Sequence, residues 1–112
     1  MIEVVNIKTY SMQDKPGTHI YIGRKTPNRP GSLLGNPFKP KSYTDEQARQ
    51  ECLNLYRDWL KRQELSRSEA WYELRRLAEI AKTENLYLAC WCAPLNCHGD
   101  ILKAEIERMN AE

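Results

Sequence analysis

A chain of 112 residues and 13.1 kDa has room for one domain with one modest core. Hydrophobic residues make up 41%, charged residues 29%, and the mean hydropathy is -0.72, so the composition suits a polar globular domain. No apolar run approaches the roughly 18 residues of a membrane-spanning helix, and the start MIEVVNIKTY lacks the basic-then-apolar layout of a signal peptide. The expected compartment is cytoplasmic and no membrane partner is expected. The four cysteines then read as metal ligands, reactive groups or small buried side chains before they read as disulfides.

The β-branched and aromatic runs at 2–7 and 19–22 predict two strands. Gln13, Asp14, Lys15, Pro16 and Gly17 supply turn chemistry between them, and a hairpin is expected over Ser11–Lys15. Thr44 to Gln47 reads as a capping box. Behind it Ala48, Cys52, Leu55, Tyr56 and Trp59 recur on one helical face. A second box at Ser66 to Glu69 opens a helix with Ala70, Trp71, Leu74, Leu77 and Ala78 inward. The run 86–92 is apolar enough for a central strand buried on both faces. Residues 100–109 close the chain as a helix with Leu102, Ile106 and Met109 inside. The expected fold is a single α/β domain over 1–112, with a small three-stranded mixed sheet in the order β-β-α-α-β-α. Crossover connections of this kind place ligands beyond the carboxyl ends of the strands. Two chemically unusual segments begin there.

The first is residues 24–43. Residues 1–42 carry seven basic and two acidic residues, a net +5, whereas 43–112 carry a net -3. Arg24, Lys25, Arg29, Lys39 and Lys41 lie in this loop without an acid, a field that attracts phosphates or polyanions. Pro27, Pro30, Pro37 and Pro40 stiffen it. Leu34 and Phe38 read as buried anchors, with Asn36 left to hydrogen-bond. A solvated basic lid is the plainer alternative.

The second is residues 90–100, where Cys90, Cys92, Cys97 and His98 stand within nine positions. Three readings are open. Cys90, Cys92, Cys97 and His98 could hold zinc as a Cys3His set, although the spacing is irregular for one. Cys97 at a helix N-terminus, after a turn at Pro94, is a candidate nucleophile with His98 as its acid/base. Small buried side chains capped by Asp100 are the third, the one that suits Cys90 and Cys52 best. His19, Tyr56, Trp59 and Trp71 read as structural.

Tyr21-Ile22-Gly23-Arg24, Leu34-Gly35-Asn36-Pro37-Phe38, Tyr56 with Trp59 and Leu60, and the run from Cys90-Trp91-Cys92 to Cys97-His98-Gly99-Asp100 resemble a small bacterial and phage family of unknown function. Its pattern joins an IGR strand end and a GNPF loop to CWCxPxxCHGD before a last helix. Leu34 stands where members often carry Trp. The resemblance covers nearly the whole chain and implies one shared site, without a reaction.

The favoured expectation is a domain that binds a phosphate-bearing small molecule, a nucleotide or nucleotide derivative. Arg24 and the helix N-terminal amides near Cys97 and Gly99 would hold the anion. Asn36 and Asp100 would read a base or ribose, Trp91 would stack, and Cys97 with His98 would carry any chemistry. A zinc module on Cys90, Cys92, Cys97 and His98 is the alternative. A nucleic-acid-binding domain using the basic loop is the weaker one, since a pI near 8.4 falls below the roughly 9 typical of such domains.

Overall fold

The structure is a computed structural model, and it describes residues 1–93 and 95–112; the expected turn at Pro94 lies outside them. Three strands, β1 (Ile2–Asn6), β2 (Thr18–Tyr21) and β3 (Leu86–Cys90), form one sheet in the order β1-β3-β2. β3 is buried along its whole length, and that is why it takes the centre. Both neighbours run parallel to it, with Ile2 and Thr18 each opposite Leu86. The fold is α/β as the sequence predicts, but the sheet is wholly parallel rather than mixed.

The hairpin is also replaced. With β3 between them, β1 and β2 cannot pair, and their parallel sense forces residues 7–17 back along one face of the sheet. That segment includes a single 3-10 turn at Met12–Asp14. His19 is stacked between Tyr10 and Tyr87 on this face, with ring centroids 5.6 and 4.8 Å away. Gly17 ends the segment at φ +144°, where a Cβ would lie 2.3 Å from the Asn85 carbonyl oxygen.

The opposite face packs on α1 (Glu46–Ser66), α2 (Glu69–Thr83) and α3 (His98–Ala111). Ile22, Leu34, Tyr56, Leu74, Leu77, Leu86, Leu88, Leu102 and Ile106 are the most buried members of that core. The helix starts differ in detail from the sequence reading. Asp45, not Thr44, caps α1 by accepting from the Gln47 amide. Ser68, not Ser66, caps α2 by accepting from the Trp71 amide, because α1 continues through Ser66 and ends on Arg67 at φ 53°. Leu55 and Trp71 sit outside the innermost stripes: Leu55 is half-exposed, and Trp71 is flanked by the guanidinium groups of Arg67 and Arg75. Among the described residues no helix is long and apolar enough to cross a membrane.

The long loop is tied to this core by a buried bond from Tyr56. Tyr56 is fully buried, and its hydroxyl donates to the Leu34 carbonyl at 2.7 Å. Tyr56→Phe should therefore leave a buried carbonyl unsatisfied and cost about 1–3 kcal/mol, read as a lower urea midpoint with an unchanged slope. An unchanged midpoint would show that the bond adds nothing.

Candidate functional site

At the carboxyl end of the sheet the ladder closes with Ile7 N donating to Cys90 O at 2.8 Å and Ile22 N donating to Ala89 O at 3.0 Å. Beyond these bonds the chain after β2 and the chain after β3 separate. The loop 24–43 and the first turns of α1 and α3 close around the gap. The resulting pocket holds about 290 Å³. Arg24, Asn36, Cys90, Trp91, Cys92, Cys97 and His98, all expected from the sequence, line it together. Tyr21, Tyr43, Arg49 and Cys52 complete much of the wall.

Arg24 builds the wall before it can serve a ligand. Its Nε donates to Asn36 O at 2.9 Å, Nη1 to the Tyr43 hydroxyl at 3.3 Å, and Nη2 to Phe38 O. Three of the guanidinium's five N–H groups are thereby spent on its own loop. Asn36 is likewise a loop organiser: its Oδ1 accepts from the Phe38 amide at 2.9 Å, and its Nδ2 faces Cys52 Sγ at 3.5 Å. Leu34 is fully buried as expected, Phe38 only partly, and Lys39 and Lys41 are exposed.

Trp91 stands at the mouth, 42% exposed, rather than in the core. Its indole N–H donates to the Tyr21 hydroxyl at 2.8 Å, which donates in turn to Arg24 O at 2.7 Å. Gly23 permits this fold-back, because a Cβ there would lie 2.3 Å from the Tyr21 hydroxyl.

The start of α3 corrects the expected anion cradle. Cys97 is the N-cap, and its Sγ accepts from the Gly99 amide at 3.3 Å. Asp100 reaches back to accept from the Cys97 amide at 3.0 Å, completing a capping box. The capping role read for Asp100 is thus present, but these amides are used internally. Gly99 is buried against the sheet, where a Cβ would lie 2.9 Å from Val4 and 3.0 Å from Ile22 side-chain carbons. Gly99 and Asp100 do not line the pocket.

His98 is buried edge-on to the Tyr56 ring. Its Nε2 meets Ile22 O at 2.6 Å, and a carbonyl can only accept, so Nε2 carries the proton. Burial, assisted by Arg24, holds the imidazole below its ordinary pKa and therefore neutral.

The three thiols of the motif fall into two environments. Cys90 and Cys97 are buried with their sulfurs 3.2 Å apart. Cys90 and Cys97 share a hydrogen bond, which with the backbone amides of Cys92 and Ala93 holds Cys90 below its ordinary pKa against the cost of burial. The shared proton and burial push Cys97 strongly upward. These directions make Cys90 the more acidic sulfur of the pair, beside the Cys97 that helix position singles out. Cys92 is exposed at the rim, its thiol raised by local desolvation and by Cys90 despite Arg49 and Arg24 nearby. Among the described residues no three His, Cys, Asp or Glu side chains converge as a metal-binding group.

Arg49 is the site residue that sequence reasoning missed. It lines the pocket from the first turn of α1, and its Nε is buried without a hydrogen-bond partner among the described residues. The signal was available. Arg49, Cys52, Leu53, Tyr56 and Leu60 follow the i, i+3, i+4, i+7, i+11 spacing, so a guanidinium begins the inward stripe. Among the described residues lining the pocket there is no carboxylate to neutralise it.

A family model described as "Domain of unknown function (DUF4326)" matches residues 5–108. The chain belongs to that family. No curated protein and no solved structure matches it.

Buried His98 and partly buried Glu64 give the fold opposing pH responses. The unfolded imidazole of His98 takes up a proton before the folded one, so stability is full above about 6.5 and falls as pH drops below it. Glu64, on α1 beside Glu105, is pushed by desolvation and that carboxyl from 4.5 up to about 7, so its contribution is present below 4.5 and lost as pH rises to about 7. Urea midpoints between pH 4.5 and 7.5 should show His98→Gln removing the acid-side loss and Glu64→Gln removing the loss on the rising side. Parallel profiles for wild type and both variants would contradict these assignments.

Proposed function

We propose that this member of the DUF4326 family is a cytoplasmic domain that binds a phosphate-bearing small molecule, a nucleotide or nucleotide derivative, in the pocket at the strand ends. The observation that carries the reading is the buried, unpartnered Nε of Arg49 on a wall shared with Arg24 and free of carboxylates among the described residues. A buried donor without a partner costs stability, and an anion accepting from it recovers that cost. Guanidinium groups grip phosphate oxygens in a planar, bidentate manner that lysine cannot reproduce.

The pocket's other features suit the rest of such a ligand. The exposed rings of Trp91 and Tyr43 flank the mouth and offer flat surfaces to a base. A volume of about 290 Å³ lies just below the roughly 300–1,000 Å³ range of small-molecule pockets, which favours a mononucleotide over a dinucleotide. In this reading Arg49 meets the phosphate, and Arg24 holds the loop while offering its remaining N–H groups. His98 and Cys97 secure the end of β2 and the start of α3. The buried, unbridged thiols suit a reducing cytoplasm.

Titration calorimetry with nucleoside monophosphates and inorganic phosphate tests this. Arg49→Gln should weaken the best binder by about 1.5–3 kcal/mol, roughly 10- to 150-fold. Lys39→Ala and Lys41→Ala should each cost less than about 1 kcal/mol, as exposed charges do. Equal losses from all three, with a steep salt dependence, would favour a polyanion on the basic loop. No saturable binding of any of these anions would overturn the reading.

A further inference from the structure

We propose that Cys90 and Cys97 form a peroxide-reactive dithiol, in which a small hydroperoxide oxidises the Cys90 sulfur and Cys97 resolves the product to an intramolecular disulfide. This stands apart from the ligand reading, because it concerns the floor of the pocket and is read out on thiols.

Three observations carry it. The first is position. Cys90 ends β3 and Cys97 caps α3, so two separate elements bring the sulfurs to 3.2 Å. They must close by only about 1 Å to reach the roughly 2.05 Å of a disulfide. The second is the division of labour within the pair. The hydrogen bond shared with Cys97 and the backbone amides of Cys92 and Ala93 all favour a thiolate at Cys90, and burial opposes one at Cys97. The third is access. Both side chains are 3% exposed or less, yet both line the pocket. An oxidant the size of water reaches them through it, and a bulky disulfide does not. Cys92 is the exposed thiol, but its pKa is raised, and Cys52 is committed to Asn36 and Phe38.

The chemistry closes in two steps. The Cys90 thiolate attacks one oxygen of hydrogen peroxide: an S–O bond forms, the O–O bond breaks, and hydroxide leaves and is protonated to water. Cys90 is oxidised by two electrons to the sulfenic acid and the peroxide is reduced. The Cys97 sulfur then gives up its proton and attacks Cys90. The S–S bond forms, the S–O bond breaks, and the departing hydroxyl takes that proton to leave as a second water. The product ties the end of the central strand to the cap of α3, and a thiol reductant reverses it.

The test uses the full chain, reduced, then treated with a small excess of hydrogen peroxide, blocked with iodoacetamide and digested with trypsin. Residues 83–103 form one tryptic peptide that carries Cys90, Cys92 and Cys97. The expected product is that peptide two hydrogens lighter with the single alkyl group on Cys92, returning to three alkyl groups after dithiothreitol. Cys97→Ser should stop at a Cys90 sulfenic acid trapped by dimedone. In Cys90→Ser, oxidation of Cys97 should slow at least tenfold. The wild-type mapping needs no variant, so a misfolded mutant does not remove the test. Oxidation that accumulates first on Cys92, a Cys90 sulfonate with Cys97 still free, or thiols inert until a chelator is added would each overturn the proposal. The last result would assign the sulfurs to a metal instead.

Discussion

The guanidinium of Arg24 is the constraint on which the mouth of this molecule depends. It leaves the sheet immediately after β2 and binds the carbonyls of Asn36 and Phe38, fourteen residues or fewer along the chain. A loop of this length without regular structure would ordinarily be mobile. Here an always-charged planar group folds it back on the strand end, and Tyr56 fixes it from below through Leu34 O. The loop therefore serves as a wall, and the space it encloses has a definite shape. Its basic character is divided accordingly: Arg24 points inward to the chain itself, while Lys39 and Lys41 remain in solvent.

A second consequence concerns where a negative charge is welcome. Helix N-termini attract anions through unpaired amides and the helix dipole. At α3 the capping box uses the Cys97 and Gly99 amides, and Gly99 is pressed on Val4 and Ile22. The unsatisfied donor lies across the pocket on α1, at Arg49. The proposed anion recognition and thiol chemistry thus divide between two helices that meet at one strand end.

Much of this was legible in the sequence, and the parts that were not share a cause. Fold class, the three helices, the buried strand and the joint location of Arg24 with the Cys90–His98 motif follow from local pattern, because strand ends and crossovers constrain topology. Strand pairing did not follow. The turn residues Pro16 and Gly17 are compatible with a hairpin, and only the burial of β3 on both faces places it between β1 and β2. Both helix caps shifted by one or two residues, because Thr44, Asp45, Ser66 and Ser68 are all competent caps and tertiary packing chooses among them. At the site, the choice of Cys90 over Cys97 as the acidic thiol depends on two amides and a neighbouring thiol brought together by folding. Arg49 was hidden by its place in a helix that reads as structural.

The central claim is that the pocket's positive wall holds an anion through Arg49. The most direct measurement is side-chain NMR of the arginine Nε–H groups during titration with phosphate and with a nucleoside monophosphate. A saturable shift of the Arg49 Nε–H resonance is the expected result, with a smaller one at Arg24, whose Nε is already bound to Asn36 O. Shifts confined to arginines outside the pocket, such as Arg57 or Arg108 in the groove between α1 and α3, with Arg49 unmoved at saturation, would contradict it.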